Sequence, residues 1–210
     1  ANIVKVHKSD EDFAIVHMHS EKPVKFEAGY DIKQVKELSK NGELVSLIEI
    51  GHSTSSLPLG VTVMDTPGVD STDDAHAIST ESALHIADMV FYTMDYNHVQ
   101  SELNFQFTKQ LMKYNPTVYL IVNQIDKHRD AELSFDEFKQ SVHNSFEAWG
   151  VIPKEIFFTS LRDKDLPYND FDKVKKIVMD SMDDWQDQLV ETARNTLVKL
   201  QHEHDNYLIE

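Results

Sequence analysis

The chain has 210 residues, 40% of them hydrophobic, enough for one large or two small domains with a real core, and this excludes an intrinsically disordered protein. Its 20 basic and 36 acidic residues leave a net charge of −16, a field that repels phosphate backbones, so no nucleic-acid partner is expected. Cysteine is absent, which excludes disulfides, thiolate metal sites and a thiol nucleophile.

No run approaches the roughly 18 apolar residues of a spanning helix, and no signal-peptide pattern is present. The sequence opens Ala1-Asn2-Ile3-Val4-Lys5-Val6, without an initiator Met and as though cut inside a strand. We read it as a piece of a longer protein.

Apolar alternation in Ile3 to Val6 and in Phe13 to Met18 predicts two strands. The polar Lys8 to Asp12 turn would join them as an antiparallel hairpin. Asp31 to Ser39 places Ile32, Val35 and Leu38 at helical spacing before Asn41-Gly42, a helix-ending pair. Leu44 to Ile50 reads as a strand, His52 to Ser56 as a loop, and Val61 to Met64 as a short strand. From there helix and strand alternate: a helix at about Ala75 to Ala87, strand Met89 to Met94, a helix at about Ser101 to Tyr114, strand Thr117 to Val122, helix Ser134 to Trp149 and strand Glu155 to Thr159. Such alternation predicts parallel βαβ units with helices on both faces. Ser134 with Glu137 supplies a capping box, and Phe135, Phe138, Val142 and Phe146 follow the helical period behind it. From about Asp170 to Tyr207 neither proline nor glycine interrupts an apolar pattern that predicts one or two long amphipathic helices.

Open parallel sheets bind ligands at the carboxyl ends of their strands, so the strand endings carry the functional signal. The first is Asp65-Thr66-Pro67-Gly68. A carboxylate there can hold a water on Mg²⁺, and the Gly68 amide can approach a γ-phosphate with no side chain in the way. The same four residues also make a good turn. The second is Asn123-Gln124-Ile125-Asp126. Guanine offers two adjacent donors, its ring N–H and its exocyclic amine, and one aspartate accepts both, whereas adenine leaves that carboxylate unsatisfied. The third is Thr159-Ser160-Leu161-Arg162-Asp163, whose backbone N–H groups can reach the guanine carbonyl while Arg162 stacks on the ring. Singly each is a polar turn. Their order and intervals together match a guanine-nucleotide-binding α/β domain.

With these residues the chain resembles the GTPase domain of the dynamin family of large GTPases, its bacterial members most of all. The stretch Leu59-Gly60-Val61-Thr62-Val63-Met64-Asp65-Thr66-Pro67-Gly68-Val69 is similar to the family's strand and second switch, and Asn123 to Asp126 stands where the family has its base-specificity motif. The resemblance runs from about Asn2 to Ser181. It implies a partial P-loop GTPase-like α/β domain over residues 1–181, with a mostly parallel sheet and helices on both faces, and a helical extension toward a neck or bundle over 182–210.

The resemblance also implies GTP and GDP as ligands with Mg²⁺. Asp65 would organise the metal's water shell, Gly68 would sense the γ-phosphate, and Val69 to Ala75 would reorder on hydrolysis. Asn123, Gln124, Asp126, Ser160, Leu161 and Arg162 would hold the guanine. The parent would dimerise across its nucleotide face, act on lipid membranes through regions outside these residues, and work in the cytoplasm at the membrane periphery.

There are two departures. Gln124 stands where the base motif commonly has Lys, whose aliphatic stem covers the base, and this weakens stacking more than it alters base choice. The larger one concerns the phosphate loop: none of Gly29, Gly42, Gly51, Gly60, Gly68 or Gly150 opens a Gly-x-x-x-x-Gly-Lys-Ser/Thr. That loop supplies the amides and lysine that cradle the phosphates, so these residues alone are expected neither to bind GTP tightly nor to hydrolyse it. Truncation explains the intact remaining motifs. The missing loop's strand is central in the resembled topology, so the chain is expected to bring strands together across the gap or to exchange strands with another copy. The competing reading is a non-enzymatic assembly module that dimerises through its helices.

Other features read as packing or solvation. His17 and His19 share a strand face, while His202 and His204 flank Glu203 on a helix where residues two apart diverge, so no third metal ligand is placed. Phe105, Phe107, Phe157 and Phe158 are expected in the core, and Met64, Met89 and Met94 read as packing near strand ends.

Overall fold

The computed structural model describes residues 2–39, 44–68, 84, 86–114 and 117–207. Two compact units divide the chain, Ala1–Ile86 and Ala87–Glu210.

The first unit contains β1 (Ile3–Lys8), β2 (Phe13–Met18), β3 (Val24–Phe26), α1 (Ile32–Ser39), β4 (Val45–His52) and β5 (Thr62–Asp65). Its sheet has the order β3-β2-β4-β1-β5. The expected hairpin is corrected here: β4 lies between β1 and β2, parallel to the first and antiparallel to the second. The Lys8 to Asp12 connection crosses the end of β4. Ser9 N donates to His52 O, and Asp12 Oδ1 accepts from both the amide and the hydroxyl of Ser53 at 2.7 Å. The sequence does carry the reason, because β4, with Leu47, Ile48 and Ile50, is apolar on both faces, as a central strand must be.

Gly51, opposite Phe13 in register, permits the closest approach in this sheet. A Cβ there would sit 2.3 Å from the Phe13 ring. The short edge strand β3, just after Pro23, escaped the sequence reading because three residues carry almost no periodicity. Asp31 Oδ1 accepts from Lys33 N at 2.9 Å and starts α1, which lays Val35 and Leu38 over Ala14, Val16, Val45 and Ile48.

The second unit contains β6 (Val90–Asp95), α2 (Glu102–Tyr114), β7 (Val118–Asn123), α3 (Phe135–Ala148), β8 (Glu155–Thr159), α4 (Phe171–Asp183) and α5 (Trp185–Tyr207). Its sheet is wholly parallel, β6-β7-β8. The capping box forms as read: Ser134 Oγ accepts from Glu137 N, and the Glu137 carboxylate accepts from Ser134 N. Gly150, at φ +72°, ends α3, with Gly150 N donating to Glu147 O and Val151 N to Phe146 O. Leu120, Val122, Val142, Phe146, Phe157 and Phe158 are buried almost completely. Each fully buried phenylalanine contributes about 2–3 kcal/mol in transfer free energy. Phe105 is core as expected, Met94 is buried near the end of β6 as read, and Phe107 is half-buried against Tyr92.

The long C-terminal stretch is two helices that break at Asp184, and α5 exposes Leu189, Val190, Leu197, Val198 and Leu200. The α/β class stands, with the parallel pairing concentrated in the second sheet. Strand β5 is the edge of the first sheet and, among the described residues, pairs with β1. The Val69 to Ala75 segment lies outside the described residues. So does most of the helix expected at about Ala75 to Ala87, of which residues 84 and 86 are helical.

Candidate guanine-reading site

In the second unit the parallel register aligns the ends of three strands: Asp95 stands opposite Asn123, and Asn123 opposite Thr159. Parallel strands all end on the same side of a sheet, so the residues that follow them gather there without further device.

Asp126 and Ser160, 34 positions apart in sequence, meet directly, the Ser160 hydroxyl donating to Asp126 Oδ1 at 2.6 Å. Thr159 Oγ1 donates to Asn123 Oδ1 at 3.3 Å. Ser160 is completely buried, and its Oγ also accepts from the amides of Arg162 and Asp163 at 3.2 and 3.1 Å. Asn169 holds the same loop from the other side. It accepts from Ser160 N and donates to the carbonyls of Ser160 and Asp163. Asp170 finishes the anchor: its side chain accepts from Phe158 N and its amide donates to Phe158 O.

This network refines the expectation for the third motif. Of the four amides from Ser160 to Asp163, those of Ser160, Arg162 and Asp163 already have protein acceptors. Leu161 N has none among the described residues, so it is the donor left for a ligand carbonyl. Asp126 accepts one hydrogen bond among the described residues, and a carboxylate has room for about four, so bidentate acceptance remains open to it. The donor set therefore fits guanine.

Gln124 carries the only positive φ of any described non-glycine residue, φ 69° and ψ 37°, and caps the 3-10 turn Ile125–Lys127. Two residues missed in the sequence brace this turn. Asp95 Oδ2 pairs with Lys127 Nζ at 3.0 Å while its Oδ1 accepts from Asn97 N. Burial pushes the Asp95 carboxyl up, but the Asn97 amide and the Lys127 ammonium together hold it below the usual aspartate range. The strand-end rule that picked out Asp65 and Asn123 also picks out Asp95, the last residue of β6. Nothing local marks Asn169 or Asp170.

In the first unit Asp65 ends β5 opposite Val4 in β1 and is exposed, as is Gly68. Among the described residues a Cβ at Gly68 would meet no heavy atom within 4 Å. An exposed aspartate at a strand end has the hard oxygen chemistry that Mg²⁺ takes, since that ion keeps most of its waters and is shared with phosphate. No group of three His, Cys, Asp or Glu among the described residues is disposed to hold a metal. His17 lies 3.5 Å from Glu49, whose other oxygen meets His7 at 3.0 Å. The imidazoles come from opposite ends of the register, His7 beside Gly51 and His17 beside Leu47, so they flank the carboxylate and do not converge on a point.

Residues 1–126 match the model of the dynamin family, more than half of the chain, and the chain belongs to that family. Its fold is that of a dynamin-type GTPase domain. Among curated proteins it is similar to Dynamin-like protein A of Bacillus subtilis (strain 168), 33% identical over 201 residues that make up 94% of this chain and 17% of that protein. The chain thus spans less than a fifth of that relative's length. Two solved chains share the fold, with TM-scores of 0.62 and 0.60, 13% and 12% identity, and coverage of 100% of this chain and 46% and 45% of theirs. They come from an oligomerised bacterial dynamin pair described as providing a mechanism for long-range sensing and tethering of membranes. No helix among the described residues is long and apolar enough to cross a membrane.

Proposed function

We propose that this chain carries the guanine-reading and second-switch portions of a GTP-hydrolysing, membrane-remodelling dynamin-like protein, and that these 210 residues alone do not hydrolyse GTP. The observation that carries the reading is the Ser160 to Asp126 hydrogen bond, which fixes a carboxylate to the residue preceding Leu161, whose amide has no acceptor among the described residues. Asp126 accepts the two adjacent guanine donors, Leu161 N–H donates to the base carbonyl, Asn123 contacts the base edge from its tie to Thr159, and Arg162 and the Gln124 stem cover the ring faces.

Asp65 holds the water shell of Mg²⁺, which when bound supplies charge neutralisation for the phosphates. Gly68 admits the γ-phosphate to its amide, since the space around it is open. Self-association across the nucleotide face, peripheral association with a lipid membrane in the cytoplasm, and a helical extension beginning near residue 182 belong to the same reading, supported by the family and by the oligomeric bacterial dynamins of the same fold.

Titration of the chain with GMP and AMP, followed by amide NMR shifts, tests the base site. GMP should bind with a Kd on the order of 1 mM and AMP more weakly. Asp126→Asn should move the preference to xanthosine monophosphate, because an amide N–H₂ donates to the xanthine 2-carbonyl. Equal binding of GMP and AMP overturns the base assignment, and micromolar GTP affinity overturns the expectation that the phosphate half is missing.

A further inference from the structure

The turn that carries Asp126 is held from the neighbouring strand by two separate links. Asp95, at the end of β6, grips Lys127 at 3.0 Å, one residue beyond Asp126. Tyr96, the next residue, meets His128 Nδ1 through its hydroxyl at 2.8 Å. The His128 side chain is only 5% exposed, edge-on to Phe135 at 5.0 Å and beside Phe138 at 5.6 Å, with Asp130 Oδ1 3.5 Å from its Nε2. Asp130 in turn accepts from Phe135 N at the start of α3. Consecutive residues on one strand end thus grip consecutive residues of the base-reading turn.

The turn requires such a grip. Gln124 sits in the left-handed region, which a residue with a side chain occupies only where its surroundings over-determine it. Within the turn itself only the Lys127 N to Gln124 O and His128 N to Ile125 O bonds, at 3.1 and 3.0 Å, hold that conformation. An exposed ion pair contributes little to stability, but one that fixes a loop's register sets where the reading group points.

We propose that Asp95 and Tyr96 are positioning residues for guanine recognition, bracing Lys127 and His128 so that Asp126 meets the base in bidentate geometry. This rests on the base-site reading above. It adds a determinant in β6, outside all three strand-end motifs that define that reading.

The test uses the full 210-residue chain with GMP and AMP as probes. Asp95→Asn keeps the side chain's shape and its acceptor for Asn97 N while releasing Lys127. GMP affinity should fall about fivefold to tenfold, the range of residues coupled in one network, and AMP binding should not change. The Lys127 and His128 amides should exchange faster while the melting temperature stays within about 3 °C of the parent. Lys127→Gln should reproduce the loss, Lys127→Arg should retain affinity, and the Asp95→Asn/Lys127→Gln double variant should be no worse than either single one. Tyr96→Phe should cost about twofold to threefold. If Asp95→Asn does not fold, the exposed Lys127→Gln variant carries the same measurement. Parental GMP affinity in Asp95→Asn or Lys127→Gln, or strictly additive losses, overturns the bracing role while leaving the base site standing. A parent chain that binds GMP and AMP equally overturns both.

Discussion

The two units place their site residues in opposite circumstances. In Ala87–Glu210 most of the candidate residues are tied to another: Ser160 to Asp126 and Asn169, Thr159 to Asn123, Asp95 to Lys127. In Ala1–Ile86 Asp65 and Gly68 stand exposed at a strand end, with open space around the glycine. Base recognition demands fixed donors and acceptors before the ligand arrives, whereas a group that responds to a phosphate must be free to change partners when that phosphate leaves. The sheets differ in the same sense. Parallel β6-β7-β8 gathers its strand ends on one side, and mixed β3-β2-β4-β1-β5 does not.

The largest expected effect probes the rigid unit. Phe158 is 1% exposed, packs on Phe135, Phe138 and His143, and immediately precedes Thr159 and Ser160. Phe158→Ala should destabilise by about 3–5 kcal/mol, read by chemical denaturation, with amide protection lost first in β6, β7 and β8. Equal loss in β1, β2 and β4 would break the distinction between the units.

Gly51→Ala is the matching change in the first unit. The new methyl would lie 2.3 Å from the Phe13 ring, so the ring or the strand must shift, at a cost of about 1–3 kcal/mol. GMP binding should be unchanged, since the reading residues all belong to the other unit. A Gly51→Ala chain with altered base preference would show that the units are coupled.

The smallest effect is acid sensitivity at Asp95. Its carboxyl is held below the ordinary aspartate value when folded, so its contribution is full above that range and fades as the pH falls through the lowered folded value. The parent should therefore lose GMP affinity and stability in that acid window somewhat more steeply than Asp95→Asn, compared by NMR titration and denaturation at each pH. Parallel profiles would show that the Asp95 charge is idle.

Much of this was legible in residue order. Ser134 and Glu137 specify their own cap because both partners lie within one turn, and the apolar period of α3 points Phe135, Phe138, Val142 and Phe146 inward whatever the neighbours are. Asp65 and Asn123 lie at strand ends as read, because a strand's end is a local event. The hairpin reading failed because adjacency between strands is set by which one must be buried on both faces. That choice falls to β4, some 30 residues further along the chain.

The sequence by itself determined the α/β class, the strand ends and the polar residues that follow them, because each depends on short-range period and capping. Only the tertiary structure decided that Ser160 fixes Asp126, that Leu161 N is left without an acceptor among the described residues, and that Asp95 and Tyr96 grip the turn from the end of β6 and the residue after it. Those contacts join residues 32 to 34 positions apart, and their partners are chosen by parallel strand register, a property that no single segment of the chain possesses.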